Sequence, residues 1–430
     1  MPPHSIIDEH DLVCPFFGSG SGSAQAAGTS QKGIAFGLEV KCLLPLLVKG
    51  YKDPEPKETR PLFRTVFTGD DPESLEARQK DAYELIAKTI RKTGEKAITI
   101  FDIQKHKNSP EMGKESYYWD SDWIVKKANS AIPGGDMNQT AYKWVSTEIS
   151  SPRMAAMDKE SSNRVRKVLE KLEARQRLKA NFSCDVHVHI GRLDGKPFDL
   201  ATLKRLATLL WLAEPTLRSI RNPKSLNYHN KYTWGAELRQ RSRIALLLGA
   251  AGNTTSLAKT RIDDDETATI LRKLERDKML SRADARALQL IWSAATHQDL
   301  GQRLSGIEPK YRRMGFNFSA FGKEDDRAVV SPRTVEFRIM EGTVEADLVA
   351  GWLAVCSKMA EVSALRSESG RRRFAEAIRA GLLGQVVVPK VGQSVGEQYG
   401  KHFEWLMQAL EIPKDVYSAL KLKVRDDNKV

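Results

Sequence analysis

Apolar and polar residues alternate along four short segments of the chain, and a period of two predicts β-strands. In IAFGLEVKC, residues 34–42, every second side chain is apolar, and the opposite face carries Ala35, Gly37, Glu39 and Lys41. The segments VSTEISSP, CDVHVHIG and TVEFRIM show the same alternation, at residues 145–152, 184–191 and 334–340. The pattern therefore predicts four strands with one apolar and one polar face.

Other segments repeat their apolar residues with a helical period of 3.6. They predict helices at 73–92, 161–180 and 199–213, and another that follows Thr343 as its N-cap. Further strands are predicted at 97–103 and 116–126. Strands and helices do not alternate as in a regular βαβ series, so the order of elements predicts an α+β protein.

Composition divides the chain into regions. Residues 1–33 are predicted to be a disordered N-terminal arm, because they include a Gly/Ser-rich linker. Residues 34–360 hold the strand motifs and form the predicted main domain, in which the charged segment 236–300 is a helical insertion. Residues 361–430 are predicted to form a basic helical C-terminal tail.

The charge balance favours anionic partners. The chain has 68 Lys and Arg against 55 Asp and Glu, a net charge of +13, which suits nucleic acid, nucleotide phosphates or carboxylate substrates. The longest apolar stretch, 244–252, is far shorter than the ~20 residues that a membrane helix needs. Four widely spaced cysteines fit reduced thiols. These features predict a cytoplasmic protein that does not bind membranes.

The polar faces of the four strands carry the candidate chemistry. Each strand by itself fits an ordinary half-exposed sheet strand. If the strands share one sheet, however, their polar faces gather acids, imidazoles and a guanidinium: Glu39, Glu148, His187, His189, Glu336 and Arg338. Carboxylates with imidazole suit Mg²⁺ or Mn²⁺, and clustered acids need such a cation. The pattern therefore indicates a divalent metal site.

The same segments resemble a known family. FGLEVK, EISSP, CDVHVHIG and TVEFRIMEGT, followed by the helix of Trp352, resemble the strand motifs of amidoligases in the glutamine synthetase and glutamate–cysteine ligase superfamily. YRRMGFNFSA matches a further element of that superfamily before the last strand. The motifs occur in the family's order, and the resemblance spans roughly residues 34–360.

The resemblance implies a glutamine synthetase-like fold, a curved antiparallel sheet with helices packed behind. It also implies an ATP-dependent carboxylate–amine ligase that uses Mg²⁺ or Mn²⁺ and joins small-molecule carboxylate and amine substrates through an acyl phosphate. The implied metal ligands are Glu39, Glu148, His187 and Glu336. The implied nucleotide contacts are His189, Arg313 and Asn317, and the implied catalytic residues are Arg338 and Glu336.

The chain also departs from the family's motifs. Lys41 stands where a second acid is common, and Ala128-Asn129-Ser130 replaces a segment that usually begins with Asp. Asp185 replaces a glycine and could restore one charge. The loss of two carboxylates supports an alternative, a catalytically degenerate amidoligase-fold protein that binds a ligand or partner.

Two further alternatives come from other patterns. The stretch 218–243 interleaves basic and aromatic residues, as single-stranded nucleic-acid binders do, so a nucleic-acid-binding protein is a second alternative. The pair His187 and His189 also suits a metal-dependent hydrolase. Such enzymes normally need more histidine ligands, and the other histidines of the main domain lie in no matching motif.

Overall fold

The structure is a computed structural model, and it describes residues 33–226, 228, 237–250, 257, 260–307, 314–322, 333–364, 367–385 and 394–429. The predicted N-terminal arm lies outside the described residues except for Gly33, and so does the predicted nucleotide contact Arg313. The middle of the basic, aromatic stretch 218–243 also lies outside them.

Nine strands occur in the described part of the chain, and all belong to one sheet. They are β1 (Ile34–Val48), β2 (Arg64–Thr65), β3 (Ala97–Thr99), β4 (Trp123–Lys126), β5 (Tyr142–Ser150), β6 (Met154–Ala155), β7 (Asp185–Arg192), β8 (Phe316–Asn317) and β9 (Val335–Glu341). The four strands predicted from alternation are β1, β5, β7 and β9.

The long strand β1 lies at the centre of this sheet. The strand order is β3-β4-β5-β1-β7-β9-β8, and the short strands β2 and β6 also pair with β1. Pairing is antiparallel except between β1 and β2 and between β3 and β4. The four strands with polar faces are therefore consecutive in the sheet, in the order β5, β1, β7 and β9.

The helices of the described residues are as follows: α1 (Pro72–Arg91), α2 (Ile100–Lys105), α3 (Lys159–Arg175), α4 (Leu200–Arg218), α5 (Leu238–Arg241), α6 (Arg243–Ala250), α7 (Asp265–Arg276), α8 (Arg282–Trp292), α9 (His297–Arg303), α10 (Ala346–Ser363), α11 (Glu368–Leu383), α12 (Val395–Ala409) and α13 (Lys414–Asp427). A 3₁₀ turn covers Glu115–Tyr117. Together with the sheet, these helices confirm the predicted α+β class.

Helices cover the apolar face of the sheet. Helix α10 contacts β1 and β7, and its Trp352 ring lies edge-on to Phe337 of β9 at 6.4 Å between centroids. Helix α4 packs against α10, α8 and α11, so a second helical layer lies behind the first. The alternating apolar residues of the strands join these helices in one continuous hydrophobic cluster. Burial of this cluster leaves the polar strand faces on the opposite side of the sheet.

Three details differ from the sequence-based predictions. The predicted strand 97–103 ends at Thr99, whose hydroxyl caps α2 by accepting from the Asp102 N–H. The predicted strand 116–126 is extended only over β4. Thr343 does not occupy the N-cap of α10, which is Glu345; its hydroxyl instead accepts from the Glu345 N–H. In each case a local hydrogen bond, made by a hydroxyl group or within a turn, takes the place of the predicted strand or cap.

Among the described residues, no single helix combines the length and apolar composition needed to cross a membrane. One pair of helices, α10 and α11, meets the criteria of length and composition only when the two are taken together, and it is bent by 118°.

Candidate functional site

Strand pairing brings the predicted site residues into register across the sheet. Glu39 of β1 lies opposite His187 of β7, and His189 of β7 lies opposite Glu336 of β9. Asn317 of β8 also lies opposite Glu336. Because side chains two residues apart share a face, these polar groups meet on one side of the sheet. The sequence spreads them over nearly 300 residues, and the antiparallel order of the strands places them side by side.

An imidazole lies between two buried carboxylates at the centre of the site. His187 Nδ1 is 3.0 Å from Glu39 Oε2 and 3.2 Å from Glu336 Oε1. All three side chains are almost completely buried. Burial by itself would raise the pKa of Glu39, but hydrogen bonds with His187 and His189 lower that pKa well below its usual value. Glu39 is therefore an anion that the two imidazoles hold in place.

Glu39, His189 and Glu336 form a group that can hold a metal ion. His189 Nε2 is 3.6 Å from Glu39 Oε1 and 3.7 Å from Glu336 Oε1. Ligand atoms about 2.0–2.2 Å from one divalent ion lie roughly 3–3.7 Å apart, so the three groups need little movement to share an ion. The other ring nitrogen of His189 is 3.2 Å from the Thr334 hydroxyl, which fixes the orientation of the ring.

Glu336 is itself held by two neighbours. Arg338 Nη1 donates to Glu336 Oε1 at 2.5 Å, and the Asn317 amide donates to Glu336 Oε2 at 2.7 Å. Burial would lower the pKa of Arg338, but the charges of Glu336 and Asp185 raise it above its usual value. Arg338 is therefore a permanent cation beside the candidate metal group, in a position to attract an anionic ligand.

A second charged row runs beside the first one. Glu148 of β5 is paired in register with Lys126 of β4 and Lys41 of β1. The Lys126 ammonium is 3.5 Å from Glu148 Oε1 and 2.9 Å from Glu115 Oε2. Burial and the charge of Glu39 raise the pKa of Glu148, while Lys126 and Lys41 act in the opposite direction. Glu148 thus lies beside ammonium groups rather than within the group of three possible ligands.

Asp185 is the least satisfied carboxylate on this face. It is completely buried, and neither of its oxygens has a hydrogen-bond partner among the described residues. Its neighbours are cationic or imidazole groups: Lys41 Nζ lies 3.9 Å from Asp185 Oδ2, and His187 Nε2 lies 3.5 Å from the same oxygen. Its charge is therefore balanced through space and not by direct hydrogen bonds.

Gly342, which follows β9, allows two chain segments to approach closely. A Cβ atom at Gly342 would lie 2.3 Å from the Cβ of Cys184, and the Gly342 N–H donates to the Cys184 carbonyl at 2.8 Å. Only glycine allows this close approach of the two chain segments. The contact ties the residue after β9 to the residue before β7, and so fixes the relative position of Glu336 and His187.

The structure brings most of the predicted site residues together. Those within one connected group are Glu39, His187, His189, Asn317, Glu336 and Arg338. Glu148 lies in the adjacent row, and Arg313 lies outside the described residues. Sequence reasoning gave no role to Lys126, whose segment shows no clear alternation, or to Thr334, which stands on the predicted polar face of β9.

Three of the described cations of the stretch 218–243 contact other groups of the protein. Arg221 is 1% exposed and donates to the Ile339 carbonyl of β9. Arg239 lies 2.7 Å from Asp284, and Arg218 stacks over the ring of Tyr228 at 4.7 Å. Arg218, Arg221 and Arg239 therefore have partners within the protein.

Comparison with known proteins gives one match. Residues 67–249 match the family described as "Putative amidoligase enzyme". The matched segment includes β5 and β7, which carry Glu148, His187 and His189. No curated protein matches the chain. The match confirms the family that the strand motifs predicted, and residues 67–249 of this protein are an amidoligase-family segment.

Proposed function

We propose that this protein is an ATP-dependent carboxylate–amine ligase, which forms an amide bond through an acyl phosphate. Amidoligase-family membership suggests an ATP-dependent ligase in general. The observation that carries the proposal for this chain is the convergence of Glu39, His189 and Glu336, with Arg338 donating to Glu336, on the polar face of the sheet.

The residues present fit a divalent metal ion. Two carboxylates and one imidazole are buried together, with ligand atoms within 4.8 Å of one another. Two buried acids this close repel each other, and a cation between them removes that cost. Mg²⁺ prefers the oxygens and Mn²⁺ also accepts the nitrogen. We assign the imidazole ligand to His189. His187, which is hydrogen-bonded to Glu39 and lies 3.2 Å from Glu336, has the role of holding the carboxylates in position.

The proposed reaction has two steps. A substrate carboxylate oxygen attacks the γ-phosphorus of ATP, and ADP leaves with the electrons of the broken P–O bond. The substrate amine then attacks the acyl carbon, and phosphate leaves as the amine loses a proton. A bound Mg²⁺ or Mn²⁺ would neutralise the phosphate oxygens in the first step.

The chain's own groups would position the reactants. Arg338 is rigidly held beside Glu336 and is a permanent cation, so it suits the γ-phosphoryl group or the substrate carboxylate. Burial of the site excludes water, which protects an acyl phosphate from hydrolysis. Asn317 orients Glu336 through its amide. We assign no group to Arg313, although the family resemblance implies a nucleotide contact there.

We also propose that the sheet belongs to the glutamine synthetase-like fold. Support comes from the arrangement itself: the four strands with polar faces are consecutive and antiparallel, the site lies on their polar side, and helices pack on the apolar side. This is the arrangement that the resemblance implies for a nucleotide-, metal- and substrate-binding sheet.

The proposal is tested by measuring ADP and phosphate release with Mg²⁺, ATP and panels of carboxylates and amines. We expect release that depends on both substrates, and loss of it in Glu336→Ala and Arg338→Ala. The matched control is Glu170→Ala, which removes an exposed carboxylate of α3. Absence of release by the wild-type protein with every pair, or full activity in Glu336→Ala, would contradict the proposal.

A second candidate function is ligand binding without turnover, and one observation favours it. Lys41 and Lys126 place two ammonium groups beside Glu148 on the site face, which reduces the negative charge available for metal ions. Titration calorimetry with ATP separates the two functions. Heat of ATP binding without ADP release in any substrate mixture would support the binding protein, whereas substrate-dependent ADP release would exclude it.

A further inference from the structure

The four strands at the site bury four carboxylates, and only two of them belong to the candidate metal group. Glu39 and Glu336 belong to that group, whereas Glu148 and Asp185 lie to one side of it. All four carboxylates are less than a tenth exposed. Buried anions at this density require cations, either from the protein or from solution.

Lys41 is placed to supply one of these cations. It is 8% exposed, its ammonium lies 3.9 Å from Asp185 Oδ2, and it donates to the Ser130 hydroxyl at 3.2 Å. Glu148 is its neighbour in register on β5. Lys41 therefore lies in register beside Glu148, and its ammonium is near Asp185 and hydrogen-bonded to Ser130.

Charges alternate along this row of the sheet. Lys126, Glu148, Lys41 and Asp185 succeed one another from β4 to β7. Like charges as neighbours would be destabilising across strands, and opposite charges stabilise them. The alternation makes the row internally balanced, apart from Asp185, whose oxygens have no hydrogen-bond partner among the described residues.

A divalent ion cannot share this position with the ammonium. An ion held by Glu148 and Asp185 would lie within a few ångströms of Lys41 Nζ, and two cations that close in a buried site repel strongly. The lysine would have to leave or lose its proton before the ion could bind.

We propose that the Lys41 ammonium is a built-in cation that takes the place of a second metal ion, so that the site binds one divalent ion per chain. This inference deepens the proposed function and rests on its assignment of a metal ion to Glu39, His189 and Glu336. Lys41 is a positioning residue: its positive charge keeps the side chains of Glu148 and Asp185 in place beside His187.

The test counts Mn²⁺ ions bound by the full chain, using the electron paramagnetic resonance signal of unbound Mn²⁺ together with titration calorimetry. We expect one ion in the wild-type protein and one additional ion in Lys41→Glu, whose new carboxylate would join Glu148 and Asp185. Lys41→Gln removes the ammonium and adds no charge, so it should gain the additional ion with at least tenfold weaker affinity than Lys41→Glu.

A matched control separates this effect from a general change of charge. Lys143→Glu reverses a lysine of β5 that pairs with Asp70 away from the site, and it should bind the same number of ions as the wild-type protein. Circular dichroism and a thermal melt show whether each variant is folded. The same Mn²⁺ count in wild type, Lys41→Glu and Lys41→Gln would overturn the proposal, and so would an equal gain in Lys143→Glu.

The experiment also distinguishes the two proposals from each other. The difference between Lys41→Glu and wild type tests the role of Lys41, and the wild-type count tests the metal group of the proposed function. No ion in the wild-type protein but one in Lys41→Glu would contradict the assignment of a metal to Glu39, His189 and Glu336, yet would support the role of Lys41. Two ions in the wild-type protein would overturn the inference and leave the ligase proposal standing.

Discussion

Two regions of the protein bury charged side chains, and they satisfy them differently. In the helical layer around α4, Asp284 lies 2.7 Å from Arg239 and accepts from the Trp211 ring N–H. Glu214 of α4 accepts from the backbone N–H groups of Leu238 and Arg239. On the sheet face, by contrast, Glu39 and Glu336 lie against the imidazoles of His187 and His189.

We infer that the buried charges of the helical layer stabilise the fold, whereas those of the sheet face are arranged to bind a ligand. Fixed donors in the helical layer satisfy each carboxylate within the protein, and removal of one partner leaves the other unpaired. On the sheet face, Glu39 and Glu336 share imidazole neighbours, and both belong to the group that can hold a metal ion. We therefore expect substitutions in the helical layer to lower stability, and substitutions on the sheet face to lower metal affinity.

The largest expected effect is on metal binding. Glu39→Ala and Glu336→Ala each remove one of three proposed ligands, so Mn²⁺ affinity should fall on the order of 10³-fold, about 4 kcal/mol. Glu336→Ala also leaves the buried Arg338 guanidinium without its carboxylate, so circular dichroism is used to show that each variant is folded. Titration calorimetry measures the affinity, with Asp284→Ala as the control that should bind Mn²⁺ normally. Unchanged affinity in both sheet variants would remove the distinction between the regions.

Asp284→Ala should have the next largest effect, on stability. It leaves the Arg239 guanidinium without its carboxylate and the buried Trp211 N–H without its acceptor. We expect the free energy of unfolding to fall by about 3 kcal/mol. Urea denaturation measures this, and Glu170→Ala should change it by less than about 0.5 kcal/mol. A loss in Asp284→Ala as small as that of Glu170→Ala would show that this pair contributes little.

Glu214 should make stability depend on pH. Burial raises the pKa of Glu214 to about 7, above its usual value of 4.5. The folded state then keeps a proton that the unfolded chain loses, so this group's contribution to stability is present below pH 4.5 and is lost as pH rises to about 7, a change of roughly 2–3 kcal/mol. In Glu214→Gln this loss should be absent. Urea denaturation of both proteins at pH 5 and pH 8 measures the difference; parallel profiles would contradict the prediction.

The smallest expected effect concerns the N-cap of α8. Ser281 caps α8 by accepting from the Asp284 N–H, so Ser281→Ala should lower the free energy of unfolding by about 1 kcal/mol. Mn²⁺ affinity should not change. Urea denaturation checks the first outcome and calorimetry the second. A larger loss than in Asp284→Ala would mean that the cap, and not the ion pair, stabilises this end of the helix.

Much of the site could be predicted because it follows strand periodicity. Alternation alone placed Glu39, His187, His189 and Glu336 on polar faces, and the structure shows them in contact. Their functional roles stay predictions, and the geometry favours His189 over His187 as the imidazole ligand. The position of Arg221 could not be predicted, because a basic stretch does not reveal which of its members is buried against a strand.

The sequence by itself determined the four strands, their two faces, the α+β class and the family of residues 67–249, because these depend on local period and on short motifs. Only the tertiary structure decided which polar groups become neighbours. Strand order sets Lys41 between Glu148 and Asp185, and it sets Lys126 beside Glu148. Partners across a sheet depend on register and on connections far apart in the chain, and no local pattern records them.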